Sequence, residues 1–344
     1  MAKAQKVQQG QEIVPRLLQK LSQRLFDDPA EQAAFIQAMT TPQPFLPSLL
    51  WVGEKPDPAP FDTAAPVAWQ PNFVDRLLTE TRPGRHPLHQ QGEFYCLDFS
   101  SVFAATVLLH LDRPVQVALD MCAAPGGKSI FAWKALQPTT LISNEVIGKR
   151  LGALISNLKR CHISAAPISF DPSELATVLP QVADVVLVDA PCSGQSLLAK
   201  GEKNPGCFHP VTIGKNANRQ KRILANAAQT VAPQGFLAYM TCTYAIEENE
   251  QVSEWLLERF PQFQAVEIPA LSAYRSRLTD LPCYRMFPQM GLGAGAFTIL
   301  LQNRESSISR EMTECGLATF LQANSRLSET GRSKATLSAK DGIS

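Results

Sequence analysis

Apolar residues recur with helical spacing at the start of this chain. Ile13, Leu17, Leu21 and Leu25 stand four residues apart with Val14 and Leu18 beside them, which predicts an amphipathic helix over 11–27. AEQAAFIQAM predicts a second, over about 31–39. Prolines interrupt the pattern from Thr41 to Pro71, so an irregular connection with at most short strands is expected there. NFVDRLLTE (72–80) and SSVFAATVLLHL (100–111) restore helical periodicity.

A different rhythm follows. The short apolar runs VQVALDM, TLISNE, ISAAPIS, ADVVLVDA and GFLAYMT alternate with helical stretches near 126–136, 147–160, 173–179, 216–231 and 246–259. Strands that are apolar throughout, each followed by a helix, predict a parallel sheet covered on both faces. FQAVEI and AFTILLQ are candidates for closing strands of antiparallel direction. The expected fold class is therefore α/β, a doubly wound Rossmann-like sheet with an α-rich N-terminal extension. Residues 1–90 are assigned to that extension, 91–303 to the sheet domain, and 304–344 to a polar, loosely ordered tail.

Composition narrows the class of protein. With 45% hydrophobic and 18% charged residues the chain is globular, and a net charge of +1 confines any polyanion site to a local patch. The eight cysteines Cys96, Cys122, Cys161, Cys192, Cys207, Cys242, Cys283 and Cys315 include no C-x-x-C pair, so no metal site is expected. MAKAQKVQQGQ lacks the apolar core of a secretory signal, and no run approaches the roughly 20 apolar residues of a membrane span. A reducing cytoplasm with free thiols and no membrane partner is the expectation. Nothing in the sequence reports on oligomeric state.

LDMCAAPGGKS (119–129) lies where a strand gives way to a helix, the ligand position of a doubly wound sheet. A Walker loop would need glycine at Cys122, and a G-x-G-x-x-G loop fails because only Gly126 and Gly127 are present, which disfavours a dehydrogenase. Acids end the successive strands instead. Glu145 is placed to take both hydroxyls of a ribose, Asp171 to reach an adenine amino group, and Asp189 follows the fourth strand. Singly these are ordinary turn-forming acids. Together with the loop they suit a nucleoside with a cationic or neutral tail, such as S-adenosylmethionine.

VVLVDAPCSGQS (185–196) then presents Asp189 and Cys192 at the end of a buried strand. Read alone, Cys192 is open to being a nucleophile, a metal ligand, a structural thiol or a helper. The wider pattern resembles the Fmu/Sun family of RNA cytosine-5 methyltransferases. DMCAAPGGKS is similar to that family's cofactor loop, VDAPCSG to its Pro-Cys motif, and MTCTYAIEENEQ (240–251) to its Thr-Cys motif. Weaker likeness extends to YCLDFSSVFAA and RMFPQMGLGAGAFTILL, so the resemblance covers about 94–302.

The resemblance implies a class I methyltransferase sheet that binds S-adenosylmethionine. Cys122, Ala123, Ala124, Pro125, Gly126, Gly127, Lys128, Glu145, Asp171 and Asp189 would hold it. It implies that Cys242 is the nucleophile, that Cys192 helps resolve a covalent adduct, and that Asp189 bonds the cytosine edge. An ordinary thiol near pKa 8.5 is only a few per cent ionised at neutral pH, so Cys242 needs help, for which Lys128 is a candidate. Glu247, Glu248 and Glu250 are expected to point away, because inward carboxylates would oppose a thiolate. Cys122, Cys161, Cys207 and Cys283 are read as inert thiols.

The implied partner is RNA, ribosomal slightly favoured over transfer RNA, with the target base out of its stack. Lys200, Lys203, Lys215, Arg219, Lys221 and Arg222 against Glu202 alone, with Lys149, Arg150, Lys159 and Arg160, offer local positive charge. The N-terminal helices are a second candidate for RNA contact. The chain departs from the family in carrying Gln195 and Ser196, where Glu-Gly is common, and in lacking His and Asp in its late motif. Two other readings remain: a methyltransferase acting on another RNA position, which has no need of Cys242, and an RNA-binding assembly factor retaining the fold.

Overall fold

The computed structural model describes residues 15–42, 45–78, 81–306 and 313–325. The predicted first helix is α1 (Arg16–Leu25), its expected start at 11–14 lying outside the described residues; α2 (Pro29–Thr40) follows. Asp28 caps α2 by accepting from the amide of Ala30, and Pro29 at the first position loses nothing there because that amide has no helical partner.

The extension is not purely helical. β1 (Ser48–Trp51), β2 (Val74–Arg76) and, beyond the short α3 (Pro87–Gln90), β3 (Phe94–Leu97) form an antiparallel sheet in the order β2-β1-β3. The helix expected over 72–80 is thus a strand in its middle. Pairing with β1 wins over local propensity, and the Trp51 indole donates to Asp75 at 2.8 Å to fix the register. Leu50, Trp69 and Val74 enter the same core as Phe99, Phe103 and Phe131, so the small sheet is built onto the larger domain. It spans the boundary expected at residue 90.

After α4 (Phe99–Ala105) the predicted alternation appears: β4 (Val117–Asp120), α5 (Gly127–Leu136), β5 (Thr140–Asn144), α6 (Gly148–Arg160), β6 (Ala166–Ile168), α7 (Pro172–Val178) and β7 (Ala183–Asp189). The short α8 (Ser196–Ala199), α9 (Pro210–Thr230), β8 (Val231–Thr241), α10 (Glu250–Arg259) and β9 (Phe263–Ala265) continue it. β10 (Cys283–Met286) and β11 (Ala296–Asn303) complete the sheet. Its order is β6-β5-β4-β7-β8-β11-β10, with β9 also on β11. β4 to β8 run parallel, and β11 joins β8 antiparallel.

Both faces are covered. Val185 and Leu187 of β7 face one apolar cluster while Val186 and Val188 face the other, which is why the strand is apolar at each of these four positions. α11 (Thr313–Asn324) is a helix where only loose order was expected: Leu317 and Phe320 dock on the second face, with Phe320 5.4 Å from the Phe170 ring. Strand order reverses between β4 and β7, and the crevice above that point is where doubly wound sheets bind ligands. Among the described residues no helix is long and apolar enough to cross a membrane, and no cluster of three or more His, Cys, Asp or Glu could hold a metal.

Candidate active site

The loops leaving β4, β5 and β6 are tied by one side chain. Asn144 donates to the carbonyls of Met121 and Phe170 and accepts from the amide of Phe170. They border an open cavity whose wall includes Met121, Cys122, Glu145, Ile147, Asp171 and Arg219. Glu145 is 2% exposed, and one carboxylate oxygen accepts from the Ile147 amide at 2.8 Å. Its other oxygen is 3.2 Å from Arg150 yet accepts no hydrogen bond, a buried acceptor open to a hydroxyl group. Asp171 caps α7 through Ser173, whose hydroxyl and amide hold its carboxyl below the usual range.

Three of the expected ligand residues, Cys122, Glu145 and Asp171, meet at this cavity. Ala123 and Ala124 are buried in the turn, and Gly126 and Gly127 serve it by their smallness. Gly126 has φ +117°, and a Cβ on Gly127 would stand 2.7 Å from Leu97. Pro125 is exposed, its carbonyl accepting from Asn157. Arg219 and Arg222 of α9, read as part of a basic stretch for RNA contact, are exposed and line this cavity.

Lys128 and Asp189 belong to a second cavity, lined also by Asp98, Ser196, Lys200 and Cys242. Lys128 donates to Asp189 at 3.0 Å, and Lys200 pairs with Asp98 at 2.8 Å. Asp120, beneath the pair, accepts from Ser129 at 2.7 Å; burial pushes its carboxyl up to about 7. Asp120 and Asp98 were missed as site residues. The signal for Asp120 was present, because it ends a strand as Glu145 and Asp189 do.

The two cysteine motifs meet over this second cavity. Cys192 and Cys242 have sulfurs 3.3 Å apart. Their loops are laced together, with Ser193 bonded to Thr243 at 2.7 Å and the Ser196 amide donating to the Cys242 carbonyl at 3.2 Å. Gln195, fully buried, donates to the Cys207 carbonyl and accepts from the Tyr244 amide. A carboxylate in its place could not make the first of these bonds, so the departure from the family's glutamate supplies a neutral strap. Behind the Cys242 loop stands α2, with Phe35 5.1 Å from the Tyr244 ring.

Glu248 and Glu250 do not point away, contrary to expectation; both are buried. Glu248 accepts from the Ser193 amide at 2.8 Å and from Gln220 at 2.9 Å, and burial raises its carboxyl above the usual range. Glu250 is taken up by Arg285 and Ser276. The partial exception is Glu247, half-exposed and paired with Arg24. The inward glutamates are tolerated because they act on Cys192 or on Arg285.

A hydrogen bond from Cys192 is the main reason that the Cys242 thiol is held below its ordinary value. Burial and Asp189 oppose this, while Ser196 and Lys128 assist. Cys192 is pushed well above its ordinary value by the same bond, by burial and by Glu248. The shared contact thus displaces the two thiols in opposite directions, Cys242 down and Cys192 up. Burial keeps the Cys122 thiol protonated, raises Cys161, and pushes Cys207 and Cys283 up to about 11 and about 12.

Known proteins share the family and the fold of this chain. A family model described as 16S rRNA methyltransferase RsmB/F matches residues 107–302. Ribosomal RNA small subunit methyltransferase F of Pectobacterium carotovorum is 31% identical over 249 residues, covering 70% of this chain and 51% of the relative. Its namesake in Vibrio parahaemolyticus is 30% identical over 276 residues, covering 78% and 57%. The chain therefore spans about half the length of these curated relatives. Among solved structures, a methyltransferase homologue and NSun6, both from Pyrococcus horikoshii, superpose with a TM-score of 0.67 each. Identities are 20% and 17%, covering 83% and 85% of this chain and 93% and 99% of theirs.

Proposed function

The chain belongs to the RsmB/F family of 16S rRNA methyltransferases, and from that premise we propose that it methylates carbon 5 of a cytidine in ribosomal RNA with S-adenosylmethionine. The observation that carries this reading is the meeting of the two cysteine motifs, their sulfurs 3.3 Å apart, beside a cavity that also holds Lys128 and Asp189. Methylation of an exocyclic amine needs no such pair.

Glu145, Asp171 and the Cys122 loop would hold the cofactor; the unpartnered Glu145 oxygen is the feature that fits a ribose hydroxyl. When bound, the cofactor supplies an electrophilic methyl group. The protein must make carbon 5 nucleophilic. The Cys242 thiolate adds to carbon 6, the carbon–sulfur bond forms, and the electron pair of the ring double bond becomes available at carbon 5. Negative charge spreads towards nitrogen 3, and the Lys128–Asp189 pair in the same cavity is what meets that edge. After methylation a base takes the carbon 5 proton and the carbon–sulfur bond breaks, returning the thiolate. Cys192, whose sulfur stands 3.3 Å from the departing one, is the thiol placed to assist that step.

Labelled S-adenosylmethionine incubated with the protein and unmodified 16S rRNA, or transfer RNA, followed by nucleoside analysis, tests the proposal. Label in 5-methylcytidine of the ribosomal RNA is expected. Label confined to another nucleoside, or no transfer to either RNA, would overturn it and favour the other-position or assembly-factor readings.

A further inference from the structure

We infer that Glu248 and Asn249, adjacent residues in the turn that leads into α10, are positioning residues for the two cysteines. Between them they hold the chain on both sides of Cys192 and on both sides of Cys242. The inference deepens the proposed reaction and rests on it, because that reaction uses the two sulfurs in sequence.

The neighbours of Cys192 are Pro191 and Ser193. The Glu248 carboxylate accepts from the Ser193 amide at 2.8 Å and from the Gln220 side chain on α9 at 2.9 Å. The same Gln220 nitrogen donates to the Pro191 carbonyl at 3.0 Å. The peptide units flanking Cys192 therefore end on one carboxylate–amide pair. Cys242 is held in the same manner by the next residue. The Asn249 side chain accepts from the Thr241 hydroxyl at 2.6 Å and donates to the Thr243 carbonyl at 2.9 Å. Ser193 and Thr243, bonded at 2.7 Å, join the two holds.

Gln220, Glu248 and Asn249 are each 0% exposed. A buried polar side chain cannot swing away from its partners without leaving them unpaired, so the hold is stiff. The Glu248 backbone is anchored as well, its carbonyl accepting from the Tyr239 hydroxyl on β8. With two adjacent residues of one turn at the flanks of both cysteines, the turn fixes the sulfur separation of 3.3 Å. Misplacing reacting groups by about 1 Å costs on the order of a hundredfold in rate.

The test reads that separation chemically, without RNA or cofactor. Wild type, Glu248→Ala, Asn249→Ala and Glu248→Gln are equilibrated with reduced and oxidised glutathione, and the Cys192–Cys242 disulfide is quantified by peptide mass spectrometry. The two protein thiols are oxidised while one glutathione disulfide is reduced to two glutathiones. The equilibrium gives the effective molarity of one sulfur at the other. We expect the disulfide in wild type, and an effective molarity roughly ten- to a hundredfold lower in each alanine variant. Glu248→Gln should stay within about threefold of wild type, since one Glu248 oxygen accepts no hydrogen bond and an amide nitrogen there displaces none. Thermal melts check that each variant is folded. Gln220→Met and Asn249→Asp remove the donors alone and should shift the same way by a smaller factor, which carries the test if an alanine variant does not fold. Equal effective molarities in all folded variants would overturn the inference. So would a wild type that forms no disulfide, or a Glu248→Gln variant that falls as far as Glu248→Ala. The methylation reading fails by a different route, if Cys242→Ala still forms 5-methylcytidine.

Discussion

Cys242→Ala is expected to lower the rate of RNA methylation by at least about a thousandfold, with the fold intact. The size follows from the chemistry. Without the thiolate no bond forms at carbon 6, and carbon 5 of a neutral cytosine does not attack a methyl sulfonium at a useful rate. The fold should survive because Cys242 is exposed at the cavity mouth and its loop is held by neighbours, Thr243 bonded to Ser193 and the Tyr244 amide to Gln195. Single-turnover transfer of labelled methyl to RNA, with a thermal melt of the same preparation, separates the two effects. A variant within about tenfold of wild type would show that Cys242 does not act as nucleophile.

The largest effect on stability is expected at Arg285 and Glu250. They are 3% and 1% exposed, and Arg285 binds both oxygens of Glu250 and the carbonyl of Tyr244. The pair ties β10, the start of α10 and the Cys242 loop together. Glu250→Ala leaves a guanidinium buried without its counter-charge and should cost about 3–5 kcal/mol, measured by urea denaturation. Replacing both partners, as Arg285→Met with Glu250→Leu, should restore much of that, since no charge is then stranded. A loss below about 1 kcal/mol in Glu250→Ala would mean that Arg285 reaches water in the variant.

The parallel sheet and its loops were legible because each strand from β4 to β8 carries a short apolar run that gives way to polar or turn-forming residues. Glu145, Asp171, Asp189, Cys192 and Cys242 could be singled out for the same reason. What the sequence hid depends on partners distant in the chain. Val74–Arg76 carries helical spacing, but its fate is set by pairing with Ser48, Leu49 and Leu50 of β1. β10 was missed because Arg285 reads as a surface residue until Glu250 is placed against it. The inward turn of Glu248 was hidden for a similar reason: its partners, the Ser193 amide and Gln220, lie in other segments.

The division between two cavities was also beyond sequence reasoning. Lys128 follows the glycine turn directly and reads as part of the cofactor loop, yet the first turn of α5 carries it towards Asp189 and Cys242. Arg219 and Arg222 read as part of a basic stretch, while the direction of α9 puts them on the wall of the cavity that Glu145 and Asp171 also line. In both cases the helix, and not the spacing in the chain, decides which cavity receives the charge.

The central claim is that RNA becomes covalently attached to Cys242 and that Cys192 is needed for its release. Cys192→Ala, incubated with S-adenosylmethionine and unmodified 16S rRNA, tests it most directly through denaturing electrophoresis and mass mapping of the attachment point. The account predicts a protein–RNA adduct that survives denaturation, maps to Cys242, and is absent when Cys242→Ala is added to the same chain. Free turnover by Cys192→Ala with no adduct, or an adduct mapped to a residue other than Cys242, would contradict it.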